Sequence, residues 1–158
     1  MQKFSITSEK KKNNLTRILN DQFKTGGAFQ RETLHVDLPK SKNIRFSLMH
    51  LPAGFHYCDG DYYDIIRLEG ERYAVLIGDV AGNALMGAFV TVILKSILYS
   101  EYIHPLLKEG KQLSPAALLS WLNRRLCSYL QQFDLMLVSF AAAVIDTGDM
   151  RMTYSFAD

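Results

Sequence analysis

Two short apolar runs joined by three residues constrain this chain more than any other feature of its sequence. Residues 62–68 and 73–77 have the length and composition of β-strands, and Glu69-Gly70-Glu71 lies between them. A three-residue link that contains glycine is a common hairpin connection. If the hairpin is centred on Gly70, residues equally far from it along the two strands face each other. This register predicts that Asp61 lies opposite Asp79.

Asp61 and Asp79 are therefore candidate metal ligands. Directly opposed side chains of an antiparallel pair have Cβ atoms about 4.5–5.5 Å apart, so two carboxylates in these positions repel each other. A bound cation or a shared proton offsets that repulsion. Oxygen ligands at a loop mouth suit hard ions such as Mg²⁺ or Mn²⁺. The alternative, two solvated aspartates at strand ends, stays open at this point.

The order of the predicted elements indicates an α+β fold. Alternation predicts a strand at residues 44–49, and a long apolar helix follows the hairpin at 84–102. A second helix begins at Ser114-Pro115, because serine caps a helix and proline fits its first turn. Two further strands are predicted near 135–145 and 151–156. This order favours antiparallel sheet with helices packed on it and argues against a doubly wound nucleotide fold.

Residues 1–40 form a polar segment ahead of the domain, which we place at residues 41–158. Within residues 14–24, apolar side chains recur at helical spacing, namely Leu15, Ile18, Leu19 and Phe23. Gly26-Gly27 is predicted to end this helix. The narrow apolar stripe predicts a short linker helix that docks on the domain or forms a homodimer with a second copy.

Composition argues against several classes of function. The formal net charge is only +2, with balanced acidic and basic counts, so no basic face for nucleic acid is expected. Cys58 and Cys127 form no CxxC motif, which suits a reducing compartment. The N-terminus lacks the apolar core of a signal peptide, and no stretch reaches the roughly 18 uninterrupted apolar residues of a membrane span. We therefore expect a cytoplasmic protein that binds neither nucleic acid nor membrane.

Other site motifs fit the sequence poorly. Asp59-Gly60-Asp61 has the start of an EF-hand calcium loop, but Tyr63 and Asp64 occupy the fifth and sixth positions of that loop. Residues 78–83 lack the Lys-Ser/Thr of a phosphate loop, and no GxSxG motif is present. The histidines show no metal-ligand spacing, so each is expected to be structural or exposed: His35, His50, His56 and His104.

Four sequence blocks follow one another within residues 44–158. They are Pro52-Ala53, Gly60-Asp61-Tyr62-Tyr63-Asp64, Ile77-Gly78-Asp79-Val80-Ala81-Gly82, and Leu113-Ser114-Pro115 with Leu122-Asn123. In this order they resemble the first signatures of bacterial PPM-type (protein phosphatase 2C-like) serine/threonine phosphatases. The branch is that of stage II sporulation protein E and the regulators of sigma-factor partner switching. The resemblance implies an αββα sandwich of layered antiparallel β-sheets with packed helices, incomplete at its C-terminal end.

The same resemblance implies a site and a reaction. Asp61 and Asp79 would be metal ligands and catalytic residues, and the backbone carbonyl of Val80 would be a further ligand. In the family two ions, Mn²⁺ or Mg²⁺, hold a water that attacks the phosphorus of phosphoserine or phosphothreonine. The implied partner is a phosphorylated protein substrate such as an anti-sigma-factor antagonist.

The sequence also departs from the family pattern. Asp59 replaces a glycine and brings negative charge close to the site, and Asp158 stands where a glycine is expected. The family's remaining acidic blocks would follow residue 158, so a truncated chain with weak metal binding, doubtful activity and exposed sheet edges is expected. The alternative is a non-catalytic pseudo-phosphatase that docks a signalling partner or dimerises. A metal-dependent nuclease or esterase is a third interpretation.

Overall fold

The computed structural model describes residues 2–51, 57–82, 84–130 and 137–158, with side chains from residue 11 onward. Four α-helices are present in these ranges: α1 (Gln2–Thr33), α2 (Ala84–Ile97), α3 (His104–Lys108) and α4 (Pro115–Leu130). The strands are β1 (Asp61–Arg67), β2 (Arg72–Val80), β3 (Val138–Asp146) and β4 (Arg151–Ala157). The Pro52-Ala53 block, His56 and the predicted strand start at residue 135 lie outside the described residues.

The four strands form one antiparallel sheet in the order β1-β2-β3-β4. Every strand therefore pairs with its neighbour in sequence, and β1 and β4 are the outer strands. The helices pack on this sheet, which confirms the predicted α+β class. Among the described residues there is one such sheet, so the chain supplies one sheet and one helical layer of the layered arrangement expected from the sequence.

The β1–β2 hairpin has the register that the sequence predicts. Gly70 lies in the connection with φ at 70°, a conformation that favours glycine. The Leu68 N–H donates to the Arg72 carbonyl at 2.9 Å and closes the turn. Beyond it the pairs continue without a bulge to Asp61 opposite Asp79.

One face of the sheet packs against the helices and forms the core. Helix α2 contacts β1 and β2, whereas α4 contacts β3 and β4. Ser114 caps α4 as predicted, with its hydroxyl accepting from the Ala117 N–H at 3.4 Å. The core residues combine inward side chains of the strands with one face of each helix, including Tyr62, Leu76, Leu94, Leu122 and Phe140.

Helix α2 continues through a π-helical turn, Leu98–Ile103, into α3. By length and composition alone, the run Ala84–Lys108 qualifies as a candidate membrane span, as core helices of layered domains also do. Its buried residues include Val90, Thr91 and Leu94, whereas Phe89 is exposed. The absence of membrane contact stays a prediction.

Helix α1 is much longer than the sequence predicts, and Gly26-Gly27 does not end it. The helix runs through both glycines to Thr33 and packs against α2. At Gly27 an added Cβ would lie 1.9 Å from the Tyr57 carbonyl oxygen, whereas at Gly26 the nearest atom, of Leu85, would be 3.8 Å away. Gly27 therefore allows α1 to approach the backbone of Tyr57 closely. This contact explains why a glycine, which disfavours helix, occurs in the interior of α1.

The predicted strand at residues 44–49 is wrong. This segment has no regular secondary structure and makes no strand ladder with any described residue. Instead it crosses the sheet face opposite the helices, where the Phe46 ring lies 5.2 Å from Tyr73 and the His50 ring lies 5.1 Å from Tyr63. Its alternating apolar residues reflect packing on a sheet face rather than pairing with a strand.

Candidate metal centre

Asp61 and Asp79 lie together at the open end of the β1–β2 hairpin. Asp61 is the first residue of β1, and it pairs directly with Asp79 near the end of β2. Both carboxylates therefore project from the sheet face that the helices leave open, with Cβ atoms about 4.5–5.5 Å apart. The Val80 N–H donates to the Gly60 carbonyl at 3.0 Å and extends the pairing past the two aspartates.

Two further side chains, His50 and Asp59, reach the same place. The His50 Nε2 lies 2.9 Å from the Asp59 Oδ2 and 3.6 Å from the Asp61 Oδ2. Their ligand atoms all lie within 4.8 Å of one another. This cluster was not predicted from the sequence, where His50 was expected to be structural or exposed. Spacing could not reveal it, because His50 belongs to an irregular segment whose path depends on the sheet beneath it.

The Asp59 carboxylate is held from several sides. The Asp61 N–H donates to Oδ1 at 3.2 Å, while Oδ2 contacts His50. The backbone of Asp59 is fixed by the buried side chain of Gln30, which donates to its carbonyl at 2.8 Å and accepts from its N–H at 3.2 Å. Gln30 also donates to the Thr91 hydroxyl at 2.9 Å. Helices α1 and α2 thus position the loop that carries Asp59.

The electrostatics of the cluster favour a cation. Partial burial raises the pKa of the Asp61 carboxyl above its ordinary value, and the nearby charges of Asp59 and Asp79 raise it further. His50 opposes this increase through its charge and hydrogen bond. Burial, then the charges of Asp59 and Asp61, also raise the pKa of the Tyr63 hydroxyl. A divalent ion among these groups would relieve the repulsion that they share.

The Val80 carbonyl, predicted as a metal ligand, lies against Gly60. An added Cβ at Gly60 would come within 2.3 Å of the Val80 oxygen. Glycine at position 60 therefore lets the two strand ends approach each other closely. The role of the Val80 carbonyl as a metal ligand stays a prediction, as do the ligand roles of Asp61 and Asp79.

Asp64 belongs to the same sequence block but not to this cluster. It alternates to the helix side of β1, where its carboxylate is buried and accepts from the Lys95 Nζ at 2.8 Å. The Tyr62 hydroxyl donates to the same oxygen at 3.2 Å. Burial, followed by the charge of Asp64, raises the pKa of Tyr62 well above its ordinary value. The contacts among Tyr62, Asp64 and Lys95 connect β1 to α2 inside the core.

A shallow, open depression of about 450 Å³ adjoins the carboxylate pair. Asp61, Asp79, Ser139 and Asp158 contribute its polar lining, and apolar residues such as Phe156 line the rest. None of the described lining residues is basic. A separate apolar cavity of about 240 Å³ lies between α4 and the strands β3 and β4. It contains neither Asp61 nor Asp79.

The residues present fit a divalent metal ion. Carboxylates are the ligands of Mg²⁺ and Mn²⁺, and an imidazole nitrogen adds affinity for transition metals. An antiparallel sheet with paired aspartates at a hairpin mouth, followed by a long helix, is the arrangement that the resemblance to PPM-type phosphatase domains implies.

The chain belongs to the stage II sporulation protein E family, whose sequence profile matches residues 69–158, more than half of the chain. The match includes Asp79 and both long helices after it, whereas Asp61 and the other cluster residues precede it. No curated protein gives a significant match to this chain.

Proposed function

We propose that this chain is a metal-dependent phosphatase that hydrolyses phosphoserine or phosphothreonine on a signalling protein. The observation that carries the proposal is the direct pairing of Asp61 with Asp79 in a chain of a PPM-type phosphatase family. Two like charges in such a pair are destabilising unless something offsets them. A bound Mn²⁺ or Mg²⁺ ion would offset the repulsion between the two carboxylates.

The residues of the site would have separate roles in binding the metal and the phosphate. Asp61 and Asp79 hold the ion, with the Val80 carbonyl as the further ligand that the family resemblance implies. A bound divalent ion lowers the pKa of a water molecule and neutralises charge on phosphoryl oxygens. No described residue lining the depression is basic, so the depression itself offers a phosphate dianion no positive group, and His50 beside it already contacts Asp59 and Asp61. Phosphate binding should therefore depend on the metal.

The shape of the site supports a protein substrate. The depression beside Asp61 and Asp79 is open, so a phosphorylated side chain on the surface of another protein can reach it. Enclosed pockets, by contrast, suit small molecules. An anti-sigma-factor antagonist is the substrate that the family branch suggests, and a cytoplasmic location without nucleic-acid or membrane partners fits that role.

We also propose that the chain forms a homodimer. Leu15, Ile18 and Leu19 on α1 have exposed fractions of 59%, 44% and 46%. They share one stripe of the helix, and a second copy of α1 would cover it. The outer strand β4 offers an alternative surface, because most of its side chains are exposed.

The test is hydrolysis of p-nitrophenyl phosphate and of a phosphoserine peptide with and without Mn²⁺. We expect turnover that requires the metal and that Asp79→Asn abolishes. Asp149→Asn, in an exposed turn between β3 and β4, is the matched control and should retain full activity. Turnover that persists without metal, or in Asp79→Asn, would contradict the proposal, as would no turnover at all.

A non-catalytic docking module is the second candidate. It is favoured by the His50–Asp59 hydrogen bond, since the imidazole already partners a carboxylate of the cluster. If this candidate is correct, calorimetry will detect no Mn²⁺ binding by the chain, while a signalling partner still binds. Mn²⁺ binding together with metal-dependent turnover excludes it.

A further inference from the structure

His50 and Asp59 lie next to Asp61, yet the family resemblance assigns a role to neither of them. The three ligand atoms are the His50 Nε2, the Asp59 Oδ2 and the Asp61 Oδ2. Asp59 stands where the family pattern has a glycine. This chain thus carries two donor groups at the hairpin mouth beyond the paired aspartates.

The spacing of these atoms suits one octahedral ion. Metal–ligand bonds of about 2.1 Å place neighbouring ligand atoms of an octahedron about 3 Å apart. The observed separations from His50 Nε2 are 2.9 Å to Asp59 and 3.6 Å to Asp61. An ion can therefore lie between the His50 Nε2 and the two carboxylate oxygens with only small movements of the side chains.

The two added donors are also well ordered by their surroundings. The side chains of His50 and Asp59 are only 15% and 16% exposed, whereas that of Asp61 is 55% exposed. The His50 ring packs on Tyr63, and Gln30 fixes the backbone of Asp59. Donors held in place before binding lose little conformational freedom when an ion arrives.

We propose that His50 and Asp59 bind the divalent ion together with Asp61, and that the imidazole makes this centre selective for Mn²⁺ over Mg²⁺. The inference rests on the proposed function, since it concerns the same metal centre. Mg²⁺ prefers oxygen ligands and keeps much of its water, whereas a neutral imidazole suits transition-metal ions. The imidazole would bind through Nε2 as the tautomer that carries its proton on Nδ1, any second proton passing to solvent, and the Nε2 contact with Asp59 would be replaced by coordination of both atoms.

Calorimetric titration with Mn²⁺ and with Mg²⁺ tests the ligand set. His50→Phe keeps a ring against Tyr63 but removes the nitrogen, and Asp59→Asn keeps the Oδ1 acceptor for the Asp61 N–H. We expect each variant to lower Mn²⁺ affinity at least about tenfold, the smallest loss typical of outer partners of metal sites. His50→Phe should change Mg²⁺ affinity much less. His35→Phe is the control, because His35 also pairs with an aspartate but is largely exposed.

Pulsed electron paramagnetic resonance of the Mn²⁺-loaded chain tests direct coordination. A nitrogen ligand gives a ¹⁴N coupling, which we expect in the parent chain and in His35→Phe but not in His50→Phe. Absence of the coupling in the parent chain would refute coordination by His50.

The outcomes separate this inference from the proposed function. If Asp79→Asn weakens Mn²⁺ binding while His50→Phe and Asp59→Asn leave it unchanged, the inference is wrong and the phosphatase proposal survives. If the chain binds no Mn²⁺, the inference is wrong, and the hydrolysis assay decides the phosphatase proposal. If Mn²⁺ binds with a His50-dependent coupling but nothing is hydrolysed, the inference is confirmed without the activity.

Discussion

Adjacent glycines in α1 should respond in opposite ways to the same substitution. In Gly26→Ala the new methyl group meets its nearest neighbour at 3.8 Å, an ordinary contact, so helix propensity should add about 0.5–1 kcal/mol to the free energy of unfolding. In Gly27→Ala the methyl group would lie 1.9 Å from the Tyr57 carbonyl oxygen and 2.4 Å from its carbon. Both are backbone atoms, which no side-chain rotation can move away.

Overpacking of this kind costs about 1–3 kcal/mol and outweighs the gain in propensity. Because both variants gain the same helix propensity, we expect Gly27→Ala to be the less stable one by roughly 1–3 kcal/mol. With a urea m-value of about 2 kcal/mol/M, the unfolding midpoints should differ by about 0.5–1.5 M. Fluorescence of the chain's one tryptophan, Trp121, and far-UV circular dichroism would follow the transition. Equal midpoints, or a more stable Gly27→Ala, would show that α1 does not pack on Tyr57.

Two further predictions concern charges, one in the core and one in the metal site. Lys95→Met should cost about 3–5 kcal/mol in unfolding free energy, because it leaves Asp64 buried without its cation. Lys111→Met removes an exposed pair and should stay within about 1 kcal/mol of the parent chain; similar losses in both variants would contradict this account. The pKa of Asp61 is raised in the folded chain, so near this pKa the folded metal-free chain binds more protons than the unfolded chain. The free energy of unfolding therefore falls as pH rises from the ordinary carboxyl pKa through the raised one. Asp61→Asn should remove this decrease, and thermal melts between pH 4 and pH 7, a window taken from roughly the ordinary carboxyl pKa upward, would show whether it persists.

The hairpin was predictable because its determinants are local. A glycine in the connection and alternating strands fix the register, and the register alone brings Asp61 to Asp79. The start of α4 was predictable for a similar reason, since Ser114 acts within its own turn. Such features need no knowledge of the rest of the chain.

The missed features depend on contacts between distant segments. Gly27 has the sequence signature of a helix end, but its packing against Tyr57 decides the outcome. His50 reaches Asp59 and Asp61 only because residues 44–50 lie across a sheet face, and neither periodicity nor spacing reports that path. Propensity and pattern therefore gave the fold class and one pair of the site, while the other pair required tertiary structure.

The π-helical turn between α2 and α3 has a consequence for how this chain can change in length. Leu94 and Leu98 are four residues apart and both are buried, yet the next buried residue, Ile103, follows after five. The wider turn accommodates one additional residue and still returns Ile103 to the core. Deletion of the exposed Ser100 would restore four-residue spacing and leave the same side chains inside. Homologues one residue shorter at this point should therefore keep the same core, and insertions or deletions in this helix should concentrate in this turn.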